Sequence, residues 1–143
     1  MRLGEIYLWE TDQAQGHEKR RKYHIFIGRS DEIGNVFLFI NTMDWYKDYR
    51  ILKKDYDFLS YDSFVGCNAI AKYTDAEIKS AAPAFIVQMT QPHLKELRDA
   101  IIAAETMPLG HANLVCRALA AAQRALILNA NNSGSSKEYW EWR

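Results

Sequence analysis

The run Val36-Phe-Leu-Phe-Ile40 is apolar without interruption, and it limits the fold more than any other stretch. A strand with one wet face alternates apolar and polar residues. A run without alternation belongs to a strand covered on both faces or closed into a barrel. Just upstream, Tyr23-His-Ile-Phe-Ile-Gly28 has the same β-branched and aromatic character, and Arg29 to Asn35 ends in Gly34-Asn35 turn chemistry. Together they predict a hairpin of strands Tyr23–Gly28 and Asn35–Thr42. Both outer ends are polar: Lys19-Arg-Arg-Lys22 leads into the first strand, and Asn41-Thr42 closes the second. Pairing the strands brings these ends together on a rigid sheet, which suits gripping a phosphate.

The rest of the chain divides in two. Most aromatics precede Tyr73, whereas alanines concentrate after Ala69, an α+β pattern. Residues 4–11 predict a first strand and Asp12 to Lys22 a loop. The mixed, aromatic stretch 43–57 predicts a long loop or short irregular elements. Phe58–Ser60 and Ser63–Asn68 predict short strands, with Gly66 marking a bulge or a close backbone approach. Thr74-Asp-Ala-Glu77 has capping-box spacing and predicts a short helix ending before Pro83. A last strand, Ala84–Met89, precedes a helix capped by Thr90, with Leu94, Leu97, Ile101 and Ile102 on one face. Met107-Pro-Leu-Gly breaks it, and a final helix runs from about Ala112 to Asn129 with Val115, Leu119, Ala122 and Leu126 on one stripe. Asn129 to Lys137 is a polar linker, and the aromatic tail Tyr139-Trp-Glu-Trp142 is expected to dock on its own barrel or a neighbouring subunit, the alternative being to bind a partner as a peptide. Short strands followed by helices predict a small closed or half-closed barrel of SH3-like size.

Composition narrows the function classes. Lys plus Arg and Asp plus Glu are equal at 18 each, so any nucleic-acid contact must come from a local patch. There is no basic-then-apolar leader and no apolar run of membrane-spanning length, and a cytosolic protein is expected. Cys67 and Cys116 stand far apart, without the CxxC or clustered His of structural zinc, and are expected as reduced, packed thiols. Asp55, Asp57 and Asp62 lack the Gly and Glu of a calcium loop and are expected as ordinary loop acids.

The candidate chemistry gathers on the hairpin. Lys19, Arg20, Arg21 and Lys22 form a cationic run beside a barrel strand, and Tyr23 and His24 could stack on bases. His17 is the loop histidine available as a proton shuttle, whereas His24 between Tyr23 and Ile25 is expected to be structural. His93 and His111, near helix starts, are expected to be incidental. Ser63 and Cys67 have no nucleophile-elbow context.

In this order the segments resemble the PemK/MazF-like family, the toxin components of type II toxin–antitoxin systems. Gly4-Glu-Ile-Tyr-Leu-Trp9 is similar to the family's opening strand. Gly16-x-Glu18 and the basic residues before Tyr23-His-Ile-Phe-Ile27 are similar to its Gly-x-Glu … Arg-Pro loop and second strand. Phe37-Leu-Phe-Ile-Asn-Thr42 resembles the third strand, which ends in threonine, and Ser63-Phe-Val-Gly-Cys-Asn68 a later strand. The family's Arg-Pro is here Arg21-Lys22 or Lys22-Tyr23, without proline.

The resemblance spans roughly residues 4–104. It implies an SH3-like barrel domain with its terminal helix over 1–104; the additional helix over 105–130 and the linker and aromatic tail over 131–143 lie outside the family's usual domain. It further implies a homodimer that cleaves single-stranded RNA without metal or cofactor and is held in check by an antitoxin protein. Such an enzyme helps the 2′-hydroxyl attack the adjacent phosphorus. By carry-over the arginine role falls to Arg21 (or Lys22, depending on a one-residue gap) and the threonine role to Thr42. His17, Lys19, Arg20, Lys22 and Asn41 then become substrate-binding candidates. The planar guanidinium fork favours Arg21 for charge stabilisation on phosphate. The other reading of the same residues is a barrel module that binds nucleic acid or a protein partner without cleaving it.

Overall fold

A computed structural model of the 143-residue chain describes residues 1–14 and 18–131. The described residues form β1 (Glu5–Thr11), β2 (Arg20–Ser30), β3 (Gly34–Asn41), β4 (Tyr49–Ile51), β5 (Ser63–Val65), β6 (Ala71–Tyr73), α1 (Asp75–Ala81), β7 (Ala84–Gln88), α2 (Gln91–Ala104) and α3 (Leu109–Asn131). All strand pairs are antiparallel and make one curled, half-barrel sheet in the order β4-β5-β3-β2-β1-β7. Strand β3 has two further partners in series: β6 meets Asn35–Phe37, and β5 meets Ile40–Asn41. The class is α+β, as the sequence implies.

Strands β2 and β3 lie in the middle of this sheet and are covered on both faces, which explains the unbroken apolar run. One face carries Ile6, Ile25, Ile27, Val36, Leu38 and Ile40, buried under Leu94, Leu97 and Ile101 of α2 and Val115 and Leu119 of α3. The other carries a smaller aromatic layer of Trp9, Phe26, Phe37, Ala71 and Tyr73, with Ile78 and Ala81 of α1 packed against it. Val115 and Leu119 of the α3 stripe thus join the same core as the sheet, whereas the side chains of Ala122 and Leu126 lie outside those described.

Several local expectations hold. The hairpin turns over residues 31–33, with Gly34 at φ +91° pairing with Ser30. A Cβ at Gly34 would sit 3.0 Å from the Tyr73 carbonyl oxygen, so its conformation favours glycine and its neighbour adds to the strain of any side chain there. Thr74 and Glu77 form the expected reciprocal cap: the Glu77 amide donates to Thr74 Oγ1 at 3.1 Å and the Thr74 amide to Glu77 Oε1 at 2.9 Å. Asp75 at the start of α1 accepts from Asn35 (2.8 Å) and Arg29 (2.6 Å), tying the helix to the hairpin.

Others are corrected. The basic run is not a loop: β2 begins at Arg20, because the backbone of β1 continues to need a partner and Thr11 pairs with Arg20. Phe58–Ser60 forms turns rather than a strand, with Leu59 donating back to the Tyr56 carbonyl. The strand expected over Ser63–Asn68 is shortened to Ser63–Val65, whereas β4 and β6 were not anticipated. Helix α3 starts at Leu109 rather than Ala112. Thr90 takes the N-cap position of α2 but makes no capping bond with its side chain. Ile102 is 52% exposed, since it lies about 100° around the helix from Ile101. The linker and tail, residues 132–143, lie outside the described residues.

These placements separate two leucine-like positions on one helix. Leu97→Ala should cost about 2–5 kcal/mol through loss of buried contacts and the cavity left behind. Ile102→Ala should stay within about 0.5 kcal/mol. Urea denaturation of the two variants measures both.

Candidate functional site

Alternation along β2 decides where each cation points. Side chains on successive strand residues face opposite sides, so Arg20 and Lys22 share the aromatic face with His24, whereas Arg21 shares the helix-covered face with Tyr23 and Ile25. On β3, Asn41 falls with Phe39 on the aromatic face. The β2–β3 ladder ends at Tyr23↔Ile40. Beyond it Lys22 and Asn41 still meet through their side chains, and Thr42 is the first residue past β3, in a bend. Of the expected residues, Lys22 and Asn41 are brought together, whereas Arg21 lies on the other face of β2 and Thr42 just past the end of β3.

The Lys22–Asn41 pair is bonded. Lys22 Nζ donates to Asn41 Oδ1 at 2.5 Å and lies 5.7 Å from the centroid of the Phe39 ring. Lys22 is half-buried, and burial, reinforced by the nearby Arg20 charge, lowers its pKa below that of a free lysine. An ammonium has three donors, and Asn41 takes one. Arg21 is exposed and, among the described residues, makes no ion pair or side-chain hydrogen bond; across the ladder it faces Glu10. Thr42 is also exposed. Arg20 reaches Glu18 at 4.0 Å, and Lys19 lines a cleft of about 530 Å³ together with Trp9, Glu10, Thr11, Tyr73 and Glu77. His17 lies outside the described residues.

Beneath the rim, His24 is completely buried and stacked on Trp9, with centroids 3.4 Å apart and planes 9° from parallel. Trp9 pairs with Lys22 and Tyr7 with His24, so Trp9 and His24 are diagonal neighbours across the two strands. The protons on this cluster have one consistent arrangement. His24 Nδ1 donates to the Lys22 carbonyl at 2.9 Å, which leaves Nε2 as an acceptor. Tyr73 OH then donates to Nε2 at 3.0 Å, Thr11 Oγ1 to Tyr73 at 2.6 Å, and the Gln13 amide to Thr11 at 3.1 Å. Each group is satisfied with the ring neutral. Burial pushes the His24 pKa down to about 3, further lowered by Lys22 and only partly offset by the bond to the Lys22 carbonyl. Burial also raises Tyr73 to about 12, against the Thr11 bond. His24 is thus structural, as expected from its place between Tyr23 and Ile25. Its role is to hold the Lys22 backbone in position.

The sequence reading missed Trp9, Thr11 and Tyr73 as the frame of this site. The alternation of Tyr7, Trp9 and Thr11 in β1 carried the signal for two of them. Nothing local marks Tyr73, which arrives through the three-residue β6. A small pocket of about 120 Å³ lies beside Asn41, lined by Phe39, Trp45, Tyr46, Gly66 and Asn68. Asp62 accepts from Arg50 at 2.7 Å and from the Lys53 amide at 2.9 Å, an ordinary loop brace. Among the described residues no three His, Cys, Asp or Glu side chains come together as a metal-binding group, and no helix is long and apolar enough to cross a membrane.

The neutral His24 has a pH consequence. The unfolded chain takes up a proton near pH 6.5 that the folded chain refuses until about 3, so its contribution to stability is present above 6.5 and is lost as the pH falls towards 3. In the native protein the His24 ring resonances should stay flat across about pH 5–8; titration there would show that the ring is not sealed as described. No protein-family model matches this chain, and no curated protein matches it.

Proposed function

We propose that the rim formed by the start of β2 and the end of β3 grips the backbone of single-stranded RNA and cleaves it, as an endoribonuclease of the PemK/MazF-like kind on an SH3-like barrel. One observation supports this reading: exposed Arg21 and exposed Thr42 each adjoin, along their strands, the Lys22–Asn41 pair that is bonded across the β2–β3 end. Arg21 offers a planar fork to two phosphate oxygens as charge builds at phosphorus. The Thr42 hydroxyl donates to one of the same two oxygens. The 2′-hydroxyl gives up its proton as its oxygen bonds to phosphorus, the bond from phosphorus to the 5′-oxygen breaks and that oxygen takes up a proton, giving a 2′,3′-cyclic phosphate and a 5′-hydroxyl. Lys22, half-buried with a lowered pKa, is the group nearest to hand for moving a proton. His24 is sealed beneath the rim and takes no part. A homodimer, an antitoxin partner and a cytoplasmic setting belong to the same proposal.

A second reading, binding without cleavage, is favoured by the burial of His24, which leaves the described rim without a histidine to shuttle protons.

Cleavage of a defined oligoribonucleotide, followed with and without chelator, separates the readings. Arg21→Ala and Thr42→Ala should each slow cleavage by about 10²-fold or more. Unchanged rates in both would remove the site, and binding by wild type without any cleavage would select the second reading. Lys19→Ala should weaken binding alike for all sequences and reduce the log–log salt slope by about 0.7. Growth arrest on induced expression, relieved by Arg21→Ala, is the cellular counterpart.

A further inference from the structure

The pocket of about 120 Å³ beside Asn41 lies one residue from the rim, and it is built from different chemistry. Its lining combines three aromatic side chains with amide groups rather than charges. Phe39 carries the Lys22 ammonium over its ring. Trp45 and Tyr46 are 52% and 44% exposed on the loop after Thr42. Exposed aromatics of this size beside a cationic rim present flat faces to a solvent-borne ring.

The loop that carries them is held in place. Asp48 accepts from the Trp45 amide at 3.1 Å and from the Cys67 amide at 2.9 Å, while its own amide donates to Asp44 at 2.8 Å. The Thr106 hydroxyl lies 3.3 Å from the Tyr46 carbonyl and 3.1 Å from the Cys67 carbonyl, within reach of either. The aromatic wall is therefore pinned to the end of β5 and to the turn between α2 and α3.

Two amides face the pocket from a common point. A Cβ on Gly66 would lie 3.4 Å from Asn41 Nδ2 and 3.7 Å from Asn68 Oδ1. Both are ordinary van der Waals distances, so the two amides flank the same space above Gly66. Asn41 commits its oxygen to Lys22, which leaves its NH₂ free to donate. Among the described residues the Asn68 side chain makes no hydrogen bond. A donor and an acceptor side by side, walled by aromatic rings, match the pairing edge and face of an unstacked base.

We propose that this pocket receives one unstacked nucleobase of the bound RNA, stacked on Trp45 and read at its pairing edge by Asn41 and Asn68. The proposal rests on the RNA reading above and adds to it a source of sequence preference. Asn41 is the hinge between the two: its oxygen orients the lysine for phosphate, and its nitrogen faces the base. Whichever base is preferred, the adjacent phosphate is the one delivered to the rim.

Fluorescence anisotropy with the full chain tests this. The probes are labelled homopolymeric oligoribonucleotides of each base, 2′-O-methylated to block cleavage, and an abasic oligomer of equal length. Wild type should discriminate among the bases and bind the abasic oligomer more weakly. Trp45→Ala should weaken binding of base-bearing oligomers by about 5–100-fold, towards the abasic level, and Trp45→Phe should restore most of it. Asn68→Ala should flatten the differences among bases. If Trp45→Ala and Asn68→Ala bind as wild type does while Arg21→Ala loses affinity, the pocket is overturned and the phosphate grip stands. If wild type binds none of the oligomers, both fall.

Discussion

The constraint behind this structure is that β2 and β3 are buried on both faces, so every side chain in their middle must be satisfied without water. Apolar residues meet that demand by packing. The one imidazole among them, His24, meets it by giving one nitrogen to its own strand's carbonyl and receiving a hydroxyl on the other. A buried polar group left without partners would cost more than such a bond contributes. The consequence is a stiff platform: Trp9, Tyr73 and Thr11 are ordered around the ring, and the strand that bears the cations is anchored immediately below them.

That platform shapes the chemistry open to the rim. Four consecutive cations on a free loop would be interchangeable. On a paired strand three of them divide, Arg20 and Lys22 to one face and Arg21 to the other, and acquire different surroundings. Lys22 is partly desolvated against Phe39 and tied to Asn41, whereas Arg21 remains in solvent opposite Glu10. A polyanion crossing the rim meets a directed lysine on one face and an uncommitted guanidinium on the other. The loop after β3 adds exposed aromatics next to these charges, and that combination is the general recipe for holding single-stranded nucleic acid.

The hairpin, the Thr74–Glu77 cap and the buried stripe of α2 were legible because each is written in local spacing. The three-residue strands β4 and β6 were not, since so short a segment shows no periodicity. Their strand character comes from partners supplied by β5 and β3. The basic run was misjudged as loop for a related reason. Charge argues for solvent, but solvent and a β-ladder are compatible at the end of a strand. The continued pairing of Trp9, Glu10 and Thr11 settled the matter.

By itself, then, the sequence determined which residues are adjacent along the chain: the cations ahead of one strand, the Asn-Thr pair behind the next, and a turn that joins them. Tertiary structure alone decided which face each cation occupies, that His24 is sealed and neutral, and that Asn41 and Asn68 converge over Gly66. Alternation and register act at every residue, but their outcome depends on where pairing begins and on what covers each face. Protonation and exposure are set by neighbours from distant parts of the chain, such as Tyr73 over His24, and no local pattern encodes them.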